Sequence, residues 1–253
     1  MNKNKKLRDF YMLWGTQSLS QLGSSITEYA LTLWLYDMTG SSLNTAALRI
    51  CTYAPYVLVS IFAGALSDKF DKKKTMLICD LLAAVSTVMV FVLYKTNLLC
   101  VWHLYLINVI SGLMNTFQQP ASEVAFTLIT PKDCYQKTGV LQALSRSLIT
   151  IGHPIIAAAV YGLAGLDAAI ALDMVTFLIA FLALALFIKL SEVSRESTQG
   201  KGTIRLAREG LSYLKSKPMI LYVILFMAGV NLISSAFEAT LPGDRRASCR
   251  ERV

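Results

Sequence analysis

Gly64-Ala65-Leu66-Ser67-Asp68-Lys69-Phe70-Asp71-Lys72-Lys73-Lys74 is a short charged hinge between two long apolar runs, residues 45–66 and 75–94. A glycine at a helix end, an aspartate four residues on and a cluster of lysines cannot stay in lipid, whereas each flanking run can. A transmembrane helix needs about 20 mostly apolar residues. Further apolar runs lie at residues 10–36, 98–117, 140–164, 166–190 and 219–241, so seven spans are expected. The runs are long and continuous rather than short and alternating, and in lipid each spanning backbone must satisfy its own hydrogen bonds. The fold class is therefore an all-α membrane protein.

The composition agrees. The chain has 253 residues, of which 55% are hydrophobic and 16% charged, with a mean hydropathy of +0.52. It is too apolar for a soluble domain of this size, too long for a single-pass receptor and too short for twelve spans. The net charge of +8 is distributed unevenly. Lys3, Lys5, Lys6 and Arg8, then Lys69 and Lys72 to Lys74, then Lys132 and Lys137, then a run from Lys189 to Lys217 all fall on one side. The other side carries only Lys95 between the first six spans. By the positive-inside rule the N-terminus is cytoplasmic in a multi-pass cell-membrane protein, and no nucleic acid is needed to explain the charge. Five scattered cysteines and two histidines give no metal-ligand spacing, so no metal or other cofactor is expected.

Four segments follow. Residues 1–190 form a six-helix bundle; residues 191–218 form a cytoplasmic linker with a weak amphipathic pattern at Ile204, Ala207, Leu211 and Leu214; residues 219–241 form a seventh span. Residues 244–253 put Arg245, Arg246, Arg250 and Arg252 on the side the charge rule forbids, so this tail is expected to be non-native.

The hinge resembles the signature loop of the major facilitator superfamily, G-x-L-a-D-[RK]-x-G-[RK]-[RK], with Gly64, Leu66, Asp68, Lys69, Lys72 and Lys73 matching. Asp71 stands where most members have glycine. That variant is similar to the drug:proton antiporter subgroup that includes macrolide-efflux proteins, as are residues 17–41, Asp80-Leu81-Leu82 and residues 168–177 around Asp173. The resemblance covers residues 7 to about 238. It implies the six-helix N-terminal half of that fold plus a seventh helix, with alternating access gated by the loop aspartate and its basic neighbours. It also implies a missing C-terminal half, or a dimer partner, to complete the path.

The helices carry polar stripes. Gln17, Gln21, Ser24 and Glu28 share one face of the first; Asn108, Ser111, Asn115, Gln118 and Ser122 share one face of the fourth; Gln142, Arg146, Thr150 and His153 share one face of the fifth. Such stripes face a watery cavity or hydrogen-bond other helices rather than lipid. The third and sixth helices carry fewer polar residues and are expected outside. Ionisable residues within spans are costly and hence functional candidates. Glu28 is read as the site of proton exchange or of pairing with a cationic substrate. Arg146 is read as the counter-charge of Asp80, the alternatives being a structural tether for Asp80 and a snorkelling Arg146. Arg49 and Asp173 are placed nearer the external face, where they either pair with each other or reach lipid headgroups. No phosphate-cradling loop and no nucleophile, base and orienter set is present, so an enzyme or ATP-driven pump is not expected. The reading is proton-coupled export of a small amphipathic, macrolide-like substrate across the bilayer. A metabolite or siderophore exporter of the same fold, and a fragment with no transport of its own, remain open.

Overall fold

A computed structural model describes residues 3–67, 71–188, 216–223, 226–227 and 229–230. Of the sequence-predicted features, Asp68, Lys69, the surroundings of Gly64, the side chain of Leu66, nearly all of the 191–218 linker, much of the 219–241 span and the 244–253 tail lie outside the described residues. The helices are α1 (Lys3–Thr39), α2 (Ser42–Ser67), α3 (Lys72–Lys95), α4 (Val101–Ile129) and α5 (Tyr135–Leu182), which ends in a π turn at Ala183–Phe187. No strand occurs among the described residues.

α5 is two spans joined at Gly165, whose φ of 76° and ψ of −175° interrupt the helical backbone. A positive φ is strained for any residue with a Cβ and free for glycine. The chain therefore turns back between Ala164 and Leu166, where the apolar pattern divides. Within the unit formed by residues 1–200, α1 packs chiefly on α5, α2 on α4, and α3 on α4 and α5.

Apolar side chains gather in two layers. One holds Phe10, Leu13, Met76, Ala121, Ala125, Ile129, Leu184 and Ile188. The other holds Ile26, Leu35, Leu48, Val90, Leu104, Ile107, Leu166 and Ile170, among others. On α1, α3, α4 and the second limb of α5, polar residues lie between the layers: Gln17, Gln21 and Ser24, Asp80, Asn115 with Gln118, and Asp173 with Thr176. The bundle is thus sealed by packing at both levels and polar in between. Outward, α3 exposes Ile78, Leu81, Val85, Val88 and Val92 at spacings of three and four, a stripe fit for lipid. α3 and the stretch 132–187 are long and apolar enough to cross a membrane. α1 places glutamine, serine and glutamate on its inner face, which lowers its hydropathy without making it less of a span.

The described part of the hinge explains two of its residues. Asp71 takes an extended conformation and caps α3: its carboxylate accepts from the Lys74 N–H at 3.2 Å and its carbonyl from Thr75 Oγ1 at 2.9 Å. The aspartate that departs from the common loop pattern thus satisfies one donor, the Lys74 N–H, that a glycine would leave to water. Lys73 Nζ donates to the carbonyls of Ala185 (2.9 Å) and Ile188 (2.7 Å), the orphan acceptors at the end of the sixth span. A cation at a helix C-terminus is favourable on both hydrogen-bond and dipole grounds. Lys73→Met should loosen that end, with amide exchange at residues 183–188 rising about tenfold, since a hydrogen bond to a charged group is worth ~1.5–3 kcal/mol. Hydrogen exchange of the membrane-embedded protein reads this directly, and unchanged protection would show that Lys73 does not hold the helix end.

Candidate functional site

Between the two apolar layers a cleft of about 690 Å³ opens, lined by α1, α2, α4 and the first limb of α5, with contributions from α3 and the second limb. The α1 face supplies Gln17, Gln21, Ser24 and Glu28, and the α4 face Asn108, Ser111, Asn115, Gln118 and Ser122. From α5 come Gln142 and Arg146. The remainder of the fifth-helix stripe behaves differently. His153 packs its ring edge-on to Tyr29 at 5.9 Å, and Thr150 bonds back to the Arg146 carbonyl at 2.8 Å.

Four carboxylates among the described residues line the cleft, in three distinct settings. Glu28 Oε1 lies 3.3 Å from Arg49 Nη1, with side chains 38% and 40% exposed. Glu123 Oε1 lies 3.3 Å from Arg146 Nη2, and both side chains are more than half exposed. Such exposed pairs contribute at most about 1 kcal/mol, so they can separate and re-form without threatening the fold. Asp173 is buried, and both of its oxygens accept hydroxyls: Ser24 Oγ to Oδ1 at 2.8 Å and Thr87 Oγ1 to Oδ2 at 3.3 Å. Asp80 is also buried. Its carboxylate accepts from two side-chain amides, Gln118 of α4 at Oδ1 and Gln17 of α1.

Two sequence-based pairings are corrected here. Arg146 and Asp80 do not pair, because α4 runs on to Ile129 and presents Glu123 to Arg146 first. Asp173 is neither near a bundle end nor a partner of Arg49; it lies in the polar layer, bonded to α1 and α3, while Arg49 turns to Glu28. The third and sixth spans do present apolar faces outward, yet each also delivers a carboxylate to the cleft. Glu123 escapes the sequence pattern because the apolar run ends at Phe117, although its four-residue spacing from Gln119 continues the α4 face. Asn108, read as part of the substrate path, also has a packing duty: its Oδ1 accepts from Thr52 Oγ1 at 2.9 Å and its Nδ2 donates to the Leu104 carbonyl at 2.8 Å, which ties α2 to α4.

At the far end of the bundle, Lys95 Nζ meets Asp167 Oδ2 at 2.8 Å and the Tyr161 hydroxyl donates to Asp37 Oδ2 at 2.9 Å. His103 Nδ1 accepts from the Cys100 N–H at 3.2 Å, which places it as a helix cap rather than in the cleft.

The same chain matches, over residues 6–247, the family described as transmembrane secretion effector. It belongs to this family of the major facilitator superfamily. It is 27% identical to macrolide efflux protein A of Streptococcus pyogenes over 224 residues, which is 88% of this chain and 55% of that protein. It is 27% identical to the uncharacterised MFS-type transporter YkuC of Bacillus subtilis over 250 residues, 94% of this chain and 56% of that one. Macrolide efflux protein A of Enterococcus faecalis is 25% identical over 186 residues, 73% of this chain and 57% of that protein. The chain spans about half the length of the curated relatives it matches. No solved structure matches it. The fold is thus the all-α membrane fold of this superfamily, whose members are multi-pass cell-membrane transporters.

Proposed function

We propose that the chain supplies the N-terminal half of an exporter that moves small amphipathic, macrolide-like molecules out of the cell by alternating access, in exchange for protons. The observation that carries this reading is the polar cleft enclosed between two apolar layers, with carboxylates from four helices opening onto it. Charged groups within a bilayer are costly and are retained where they serve a pathway. A second six-helix half, from the same gene or from another copy of the chain, completes the wall that the cleft leaves open. In this reading the N-terminus lies in the cytoplasm, which the lysines around the α2–α3 hinge support.

In this scheme Glu28 exchanges the proton. It is water-accessible and already has a cation, Arg49, at contact distance. Protonating Glu28 releases Arg49, and deprotonating it draws Arg49 back, so proton traffic moves a positive charge at the junction of α1 and α2. Gln17, Gln21, Asn108 and Asn115 supply the neutral hydrogen-bonding surface along which a substrate slides without finding one deep trap. Gly64, Leu66, Asp68, Lys69 and Lys72 belong to the gating loop, with Asp71 and Lys73 anchoring its exit to α3 and to the sixth span.

Efflux from bacterial cells tests the reading. Cells carrying the gene with its downstream flank should retain less of a macrolide panel than cells without it, and the difference should vanish when a protonophore collapses the proton gradient. Equal retention with and without the gene would contradict it. Altered growth or secretion with no change across the panel would point to the metabolite exporter instead.

A further inference from the structure

We propose that Glu123 and Arg146 form a gate at the mouth of the cleft nearest the α2–α3 hinge, an ion pair that parts to let a guest pass between α4 and the first limb of α5 and re-forms behind it. This deepens the transport reading, on which it rests, by assigning the step at one mouth. The starting point is a repetition. Glu28, Arg49 and Asp80 stand on α1, α2 and α3; Glu123, Arg146 and Asp173 stand in the same order on α4 and the two limbs of α5, each about 95 residues on, as two three-helix repeats within one half would place them. The contacts repeat with the residues. Glu28 meets Arg49 at 3.3 Å across the α1–α2 hairpin, and Glu123 meets Arg146 at 3.3 Å across the α4–α5 hairpin. Each aspartate reaches the first helix of the other repeat: Asp80 takes Gln118 of α4, and Asp173 takes Ser24 of α1.

The buried aspartates thus clasp one repeat to the other, while the exposed ion pairs work inside the hairpins. The two pairs also stand at opposite ends of the cleft. Glu28 and Arg49 neighbour Leu31 and Leu48 of one apolar layer, and Glu123 lies between Ala121 and Ala125 of the other. At the Glu123 end, three features make the pair a gate rather than a brace. First, α1 packs along α5 and α2 along α4, but the backbones of α4 and α5 hardly approach one another. Arg146 to Glu123 is the one polar contact between these two helices among the described residues. Second, both side chains line the cleft and are more than half exposed, so they exchange each other for water readily. Third, Pro120 lies one turn before Glu123 and Pro154 about two turns after Arg146. Each proline removes a backbone hydrogen bond from its arm of the hairpin, so both arms bend most easily beside the pair. Glu28, at the other mouth, is left to the proton.

Side-specific labelling tests this. In the protein encoded by the gene with its downstream flank, all native cysteines are replaced by alanine and one reporter, Asn115→Cys, is placed on the cleft face of α4. A membrane-impermeant maleimide is then added to vesicles from the side of the loop at residues 130–134 or from the opposite side. Glu123→Gln and Arg146→Gln should each speed labelling from the loop side about threefold to fivefold, the most that a pair of this exposure shifts an equilibrium, and leave labelling from the opposite side unchanged. Glu123→Arg, which sets like charges against each other, should speed it about tenfold or more. The exchanged pair, Glu123→Arg with Arg146→Glu, should return the rate to within about twofold of the parent; a brace that depends on local packing would not be restored by the exchange. The glutamine variants serve if Glu123→Arg does not fold. Unchanged labelling in both glutamine variants, an equal rise from both sides, or no recovery in the exchanged pair would each overturn the proposal. Labelling that follows the pair, with no efflux from cells, would remove the transport reading and leave the gate. Efflux with labelling indifferent to Glu123 and Arg146 would do the reverse.

Discussion

Glu28→Gln should reduce proton-driven export to the level of cells lacking the gene, with the amount of protein in the membrane unchanged. Both halves of this expectation come from the same geometry. The Glu28–Arg49 contact is 3.3 Å long between side chains about 40% exposed, and pairs of that kind contribute about 0–1 kcal/mol to stability. Glutamine keeps the size and one oxygen acceptor for Arg49, so α1 and α2 stay in place. What glutamine cannot do is take up and release a proton. Arg49 then remains uncompensated at every stage of the cycle, and the exchange that would drive export is lost. Glu28→Asp keeps the titratable group on a shorter arm and should retain part of the activity. Immunoblotting of membranes together with macrolide retention measures both quantities. Undiminished export in Glu28→Gln would remove the residue from the proton path.

Gly112→Leu should prevent the protein from accumulating at all. α2 and α4 approach so closely that a Cβ on Gly112 would run into the carbonyl oxygen of Thr52, a backbone atom that cannot swing aside. One turn back along α4, Asn108 accepts the Thr52 hydroxyl, so separating the helices would break that link as well. Forcing extra carbon into a packed interface costs about 1–3 kcal/mol even for small additions, and leucine adds a whole branched side chain. Gly139→Leu is the control, because a Cβ there meets nothing within 4 Å. Size-exclusion profiles of the two variants in detergent should differ sharply: no monodisperse peak for Gly112→Leu, and a peak close to wild type for Gly139→Leu. A normal profile for Gly112→Leu would mean that α2 and α4 are not packed through Gly112.

Much of this organisation is legible in the residue pattern. The α1 and α4 stripes are written at helical spacing, and the division of α5 at Gly165 coincides with the break between two apolar runs. The pairings are not legible in the same way. Arg146 reads as a partner for Asp80 only if the fourth span stops near Phe117. The inward polar residues of that span depress the hydropathy that would otherwise mark its continuation to Ile129, so Glu123 reads as a loop residue. Asp173 sits among apolar neighbours in sequence, and nothing local reveals that Ser24 and Thr87, from helices remote in the chain, converge on it. His153 shows the opposite failure: its spacing fits the α5 stripe, but at its level of the helix Tyr29 of α1 packs against the ring. Periodicity reports which face a residue shares and leaves open which neighbour that face meets. The convergence of Gln17 and Gln118, from α1 and α4, on Asp80 of α3 is likewise visible only once the helices are assembled.

The proposed exchange of a small molecule for protons is tested most directly in proteoliposomes. The protein encoded by the gene with its downstream flank would be reconstituted with a pH-sensitive dye inside the vesicles, and a macrolide bearing a tertiary amine would be added to one side. The predicted result is macrolide movement across the bilayer accompanied by proton movement in the opposite direction, both abolished by Glu28→Gln. Macrolide movement that proceeds at the same rate without any proton countermovement, in wild type and Glu28→Gln alike, would contradict it.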